Sequence, residues 1–436
     1  MIKHRGRLMA GVIVLALAGT AVTVALDRYD AGAGHESSKA PTAEASPTEL
    51  PTAEKAARRV QIDGLLASRA RAVLKGDLRT FLAAVDPKQP ALVARQRTLF
   101  VNLRKFGFAS LQYTVADEWK ASAVRAKYGP TTFSTRLMMR YQLAGLDSRP
   151  VKTDLGYSFV RRGKQWILVE DGAIDEVLSA TGHRQPWDFQ EVAIIRHGPL
   201  VIAVDKTETA LGTKIARVSE EAVLAVRRHW PRPWSGAVLV VAMSEDRVMA
   251  TVWRDGADEG LIISAKAISL YDVDPRGNPT AGPVGSRIVI NPAVRKTLDE
   301  ELLVHELTHV ATTPLGNHAP NWLVEGVAEH VRFNTIEDDP EWTVDPYRKT
   351  VRTKYLPTMK VLPDSEEFYR HGAQAYARAW WAVEYLVSKV GVKGMASLYA
   401  DLAAHNTGPA AYSAIMKRHT GMTPAEFTAS VKTFKG

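Results

Sequence analysis

Two short segments constrain this chain more than anything else in it: His305-Glu306-Leu307-Thr308-His309, and Trp322-Leu323-Val324-Glu325-Gly326-Val327-Ala328-Glu329. Residues four apart on a helix stand one above the other on the same face, so His305 and His309 can aim both imidazoles at one ion. Glu306 sits about 100° round the helix, where it can reach a water beside that ion without taking a coordination position. A catalytic zinc takes three protein ligands and keeps one position open, so a third ligand is expected downstream. Glu325, roughly sixteen residues past His309, suits a short reversal and a second helix packed on the first.

The surrounding residues support both helices. Thr297 with Glu300 matches a capping box, and Leu298, Leu302, Leu303, Leu307 and Val310 form an apolar stripe that Thr312, Thr313, Pro314 and Gly316 bring to an end. Pro320 or Asn321 starts the second helix, with Trp322, Leu323, Val327 and Val331 on its apolar side. Glu329 follows Glu325 by one turn, placed to accept the ring N–H of a ligand histidine and so fix its tautomer.

The paired motifs resemble the gluzincin metallopeptidases, in particular the bacterial MA-like group that combines HExxH with WLxEGxAE. Carried over position by position, the resemblance implies His305, His309 and Glu325 as zinc ligands, Glu306 as general base and Glu329 behind the ligands. It also implies a tyrosine facing the metal from a later helix. By motif position that is Tyr376, within the helical stretch Ala373 to Val390 closed by Gly391, with Tyr369 and His371 as competitors to stabilise the oxyanion. Relatives often carry a small polar residue where Ala379 stands. The strand at Arg287 to Asn291, just before the first motif, is expected to be the edge strand that pairs with an extended substrate, stopped by Pro292.

At 436 residues and 46% hydrophobic the chain is long enough for two folded domains, and the expected class is α+β. Lys3, Arg5 and Arg7 precede an apolar run from Leu8 to Leu26, about 19 residues, long enough to cross most of a bilayer core. Residues 1–30 are therefore expected to anchor the chain in the cell membrane with the N-terminus inside and the folded part outside. Ala31-Gly32-Ala33 leaves cleavage and secretion as the alternative. Residues 31–55, rich in Ala, Pro, Ser, Thr and Glu, read as a disordered stalk.

Residues 56–185 show helical periodicity first (Ile62 to Leu74, Leu78 to Val85, Ala91 to Phe106). Strand-like segments follow at Leu111 to Val115, Thr132 to Leu143, Val151 to Arg161 and Gln165 to Glu170. Helices followed by antiparallel strands suggest a sheet curled over its helices. The closing hairpin, Tyr157 to Leu168, resembles the cone-shaped SnoaL-like superfamily, which implies an accessory or ligand-binding domain.

Residues 188–436 are assigned to the peptidase domain, with a mixed sheet and a helical C-terminal part. Strands are expected at Glu191 to Ile195, Leu200 to Val204, Val238 to Ala242, Leu261 to Leu270 and Ser286 to Asn291, and a helix at Ser219 to Arg228. Ile336 to Tyr347 reads as an acidic loop. Met395 to Leu402, Ala410 to Met416 and Thr423 to Phe434 read as short helices, the last with a capping box at Thr423 and Glu426.

The chain has no cysteine, which excludes disulfides, thiolate ligands and lipidation at cysteine. Its net charge of +9 is spread along the sequence with no nucleic-acid motif, so no nucleic-acid partner is expected. The expected function is a membrane-anchored zinc metallopeptidase acting on peptides or proteins outside the cytoplasm. The alternative is a catalytically silent zinc-site protein that works as a binding or scaffold module through its SnoaL-like domain; a base at Glu306 argues against it, because a structural site has no use for one. Substrate identity and oligomeric state stay open.

Overall fold

Helical structure begins at Thr52, inside the stretch read as stalk: Ala53, Glu54, Ala56 and Ala57 favour a helix, and Glu54 complements the positive end of its dipole. The computed structural model describes residues 52–119, 121–172, 175, 184–250, 264–274, 279–364 and 366–436. The apolar run Leu8 to Leu26 and the stalk up to Pro51 lie outside them. Among the described residues no helix is long and apolar enough to cross a membrane.

Helix α1 (Thr52–Lys75) buries Ile62, Leu66, Ala70 and Val73 along one stripe. Helix α2 (Leu78–Leu82) is capped by Asp77, and α3 (Pro90–Phe106) starts on a proline and stops at Gly107, whose φ of 75° is left-handed. Then come β1 (Phe108–Trp119), a short α4 (Ser122–Tyr128) that the sequence reading had not foreseen, β2 (Phe133–Leu143), β3 (Val151–Arg162) and β4 (Gln165–Glu170). The four strands form an antiparallel meander in the order β1-β2-β3-β4, with Tyr113 opposite Met139 and Leu137 opposite Leu155. Trp187, on the link to the next sheet, packs edge-on against Phe106, Phe108 and Tyr141, while Asn102 donates to the carbonyls of Trp187 and Gln190 and accepts from the Val192 N–H.

The second sheet contains β5 (Val192–His197), β6 (Leu200–Asp205), β7 (Val238–Val241), β8 (Ala265–Val273) and β9 (Pro279–Ile290), with α5 (Thr209–His229) between β6 and β7 and the short α6 (Arg247–Ala250) before β8. Its order is β5-β6-β7-β9-β8, parallel across β6, β7 and β9 and antiparallel at both ends. β6 and β7 are buried at every position, which is why they read as unbroken apolar runs rather than alternating ones. Two expectations change here. β9, which carries Arg287 to Ile290, is an interior strand bonded on both sides; among the described residues β8 is the edge. The described part of β8 starts at Ala265, so Leu261 to Ile263 fall outside it.

Helices α7 (Glu300–Thr312), α8 (Asn321–Glu337), α9 (Asp345–Thr350), α10 (Ala373–His405), α11 (Pro409–Thr420) and α12 (Pro424–Thr433) complete the chain. The cap of α7 is Asp299, whose carboxylate accepts the Leu302 N–H at 3.0 Å; Thr297 instead donates to the Val294 carbonyl, so the expected capping box is not formed. The stretch Ile336 to Tyr347 is only partly loop, since α8 runs to Glu337 and α9 begins at Asp345. Gly391 does interrupt α10, with φ 71°, but a second helical limb follows at once and contains Met395 to Leu402. The capping box at Thr423 and Glu426 is present. The architecture is α+β, with one antiparallel and one mixed sheet among the described residues.

The two sheets share one apolar core and a polar seam. Arg287 on β9 meets Asp147 of the β2–β3 turn at 2.8 Å, the Ser148 N–H donates to the Val284 carbonyl, and Arg140 donates to the carbonyl of Val273 at the end of β8.

Candidate metal centre

The centre is made by α7 and α8 lying antiparallel. Every residue of α7 from Leu302 to Thr312 is buried, polar ones included, so the helix is enclosed rather than laid on a surface. His305, Glu306 and Glu325 have no accessible surface, and His309 retains 1%.

Three donor atoms converge. His305 Nε2 and His309 Nε2 are 3.1 Å apart, and Glu325 Oε2 is 3.3 Å from the first and 3.4 Å from the second. This group could hold one metal ion. Glu325 Oε2 is buried with no hydrogen-bond partner among the described residues. An ionised carboxylate oxygen buried without a partner is costly, and a cation at the centre of the three donors would relieve that cost.

Two of the three donors are steered from behind, whereas His309 Nδ1 is buried with no partner among the described residues. His305 Nδ1 lies 2.7 Å from Glu329 Oε1, and Tyr369 donates to Glu325 Oε1 at 3.2 Å, leaving Oε2 as the oxygen that faces the histidines. Glu329 is in turn bound by Arg332 at 3.1 Å. Burial raises the cost of charge on all these groups, while the carboxylates beside His305 favour positive charge there, whether a proton or a metal ion. Burial alone would lower the His305 pKa, but its contacts with the Glu325 and Glu329 carboxylates and the charges of both push it up to about 10. Glu329 is held down at about 2 against the same burial effect, by the Arg332 charge and the bond to His305.

Glu306 points elsewhere. Its Oε2 accepts the Ala267 N–H of edge strand β8 at 2.7 Å, while Oε1 is buried and has no partner among the described residues. Burial pushes its pKa up, which makes it a stronger proton acceptor than an ordinary carboxylate. Tyr376 also sits at the centre: its ring centroid is 6.1 Å from that of His305, and its hydroxyl is buried without a partner among the described residues. Burial, then the charge of Glu325, raises its pKa well above the usual phenol value, so it stays a donor. His371 is exposed.

The structure therefore brings together His305, Glu306, His309, Glu325, Glu329 and Tyr376, and adds Tyr369 as a partner of Glu325. Sequence reasoning missed Arg332 and the backbone of Ala267. The first stands seven residues past Glu325, at helical spacing on the same stripe, and was legible; the second is a main-chain group with no side-chain signal.

Gly326 explains the small residue beside the third donor. A Cβ there would lie 2.4 Å from the Ala379 carbonyl oxygen and 2.7 Å from Val383 Cγ2, because α8 and α10 pack with their backbones nearly touching. Gly326→Ala is expected to destabilise the fold by about 1–3 kcal/mol and to lower metal content by displacing Glu325. Urea midpoints and elemental analysis measure the two effects, and a variant that matches the wild type in both would show that the close approach is dispensable.

No family model matches this chain, and no curated protein matches it.

Proposed function

We propose that this protein is a zinc-dependent metallopeptidase of the gluzincin type. The observation that carries the reading is the triangle of His305 Nε2, His309 Nε2 and Glu325 Oε2, with Glu306 on the same helix, its Oε1 buried and unpartnered among the described residues. Tetrahedral zinc with bonds of roughly 2.0–2.1 Å sets its ligand atoms about 3.3–3.4 Å apart, close to the separations here. The donor set of two imidazoles and one carboxylate, in a chain without cysteine, suits a catalytic rather than a thiolate-bound structural zinc.

Zinc bound there supplies Lewis acidity, acidifying a water and polarising a substrate carbonyl. The protein's own groups do the rest. Glu306 takes the water's proton on Oε1 and hands it to the departing amine, while its Oε2 is kept in place by the Ala267 N–H. Tyr376 donates its hydroxyl hydrogen to the oxygen that gains charge as water adds to the peptide carbon. The outer edge of β8 offers main-chain groups to an extended peptide beside Glu306. The same reading gives residues 188–436 a zincin-like role, residues 56–185 that of a SnoaL-like accessory domain, and residues 1–30 that of a membrane anchor holding both outside the cytoplasm.

Complete burial of the donors favours one rival, a catalytically silent zinc site in a binding protein. Elemental analysis and a peptide-library assay on the purified chain separate the two. About one zinc per chain is expected, with cleavage lost on chelation and restored by zinc. Zinc without cleavage supports the rival, and a chain that takes up no zinc overturns both.

A further inference from the structure

The facing stripes of α7 and α8 form a ladder of polar groups that extends beyond the metal donors. His309 faces Glu325, His305 faces both Glu325 and Glu329, and one turn further along Glu301 faces Arg332. Glu301, His305 and His309 follow one another at intervals of four, and Glu325, Glu329 and Arg332 at four and three, so all six lie on the stripes where the two helices meet. Arg332 closes the ladder. Its Nη1 donates to both oxygens of Glu329, at 3.2 and 3.1 Å, and its Nε and Nη2 donate to Glu301 Oε2 at 3.4 and 3.1 Å.

Glu329 is only 4% exposed and lies one helical turn from Glu325, outside the group of three donors and on the far ring nitrogen of His305. Two outcomes compete for it. It can accept the His305 Nδ1 hydrogen, which leaves Nε2 free to bind metal, or it can swing toward the cation as a fourth ligand and fill the position that substrate and water need. One guanidinium nitrogen, Nη1, reaches both oxygens of Glu329 while Nε and Nη2 are held on Glu301, so the planar group bridges the two glutamates and holds Glu329 back; an ammonium would supply the charge without that bridge.

We propose that Arg332 is a positioning residue for the metal centre: anchored on Glu301, it clamps Glu329 against His305 Nδ1 and keeps that carboxylate out of the coordination sphere. The proposal rests on the metal reading above, and its readouts are metal affinity and coordination rather than peptide hydrolysis.

The test measures zinc affinity of the full chain by chelator competition, together with the visible spectrum of the cobalt-substituted protein, in Arg332→Gln, Arg332→Lys and Glu301→Gln. Arg332→Gln is expected to weaken zinc binding about 10–100-fold, because His305 loses the fixed acceptor that orients its ring, and to alter the cobalt bands. Arg332→Lys should fall between it and the wild type, and Glu301→Gln should shift affinity in the same direction by less. If Arg332→Gln does not fold, the two milder variants decide the matter. Variants that fold and keep wild-type affinity and cobalt bands overturn the proposal. So does an equal loss of stability with and without metal, which would mark Arg332 as packing only. Wild-type protein that binds no metal overturns the metal reading itself, whereas metal binding that is the same in wild type and variants removes only the role of Arg332.

Discussion

Glu306→Gln is expected to bind metal as the wild type does while cleaving peptides about 10²–10⁴-fold more slowly. Glutamine has nearly the shape of glutamate, and its amide oxygen can accept the Ala267 N–H in place of Oε2, a bond of 2.7 Å in the wild type. That orientation turns the NH₂ group into the place of Oε1, the one oxygen of Glu306 left without a partner, and an amide nitrogen cannot take a proton from water there. The three donors are untouched, since neither Glu306 oxygen belongs to the triangle formed by His305, His309 and Glu325. The loss should fall on kcat, because the base acts only as the reaction proceeds. Kinetics on a cleaved library peptide, with elemental analysis of the same samples, provide the measurement. An unchanged rate would remove Glu306 as the base, and loss of metal would recast it as a ligand.

The donors were readable because their geometry is local. Two histidines four apart must share a helical face, and a glutamate at the start of the next helix can reach them if the helices reverse. Burial of Ile62, Leu66, Ala70 and Val73 in α1 was likewise written in periodicity, and that of β7 in an unbroken apolar run. What depends on distant parts of the chain was not legible. β9 was expected at the edge because the resemblance puts an edge strand just before the metal helix, whereas the sheet places β8 outside it, and strand order is settled by which faces and ends find cover rather than by chain order. The α7 cap moved two residues because the Asp299 carboxylate accepts the Leu302 N–H, while the Thr297 hydroxyl is spent on the Val294 carbonyl. Tyr369 was considered as an oxyanion donor, but its hydroxyl lies on Glu325 Oε1, a placement decided by how the turn before α10 folds back over α8.

The seam between the sheets was equally invisible in the sequence, and it should be the place where one side-chain change costs the most stability. Arg287→Leu is expected to destabilise the fold by about 3–5 kcal/mol. Asp147 is buried completely at its side chain and Arg287 retains 7% exposure, so the pair is shielded from water and salt. Arg287 Nη2 donates to Asp147 Oδ2 at 2.9 Å, and the same oxygen accepts the Leu143 N–H at 2.8 Å. Gly285 leaves room for the carboxylate: a Cβ at that position would lie 2.4 Å from Asp147 Oδ1. Removing the guanidinium strands a carboxylate that cannot reach solvent without opening the joint. If that buried charge is the cause, Asp147→Leu combined with Arg287→Leu should recover much of the loss, because a well-packed apolar pair of similar volume often replaces a buried ion pair at little cost. Urea denaturation at constant m-value compares the wild type, both single variants and the double variant. Because β9 lies beside β8, whose Ala267 N–H holds Glu306, the single variants should also lose activity, and the double variant should regain it along with stability. A double variant no more stable than Arg287→Leu alone would mean that the seam depends on the Asp147 hydrogen bond to Leu143 rather than on charge balance.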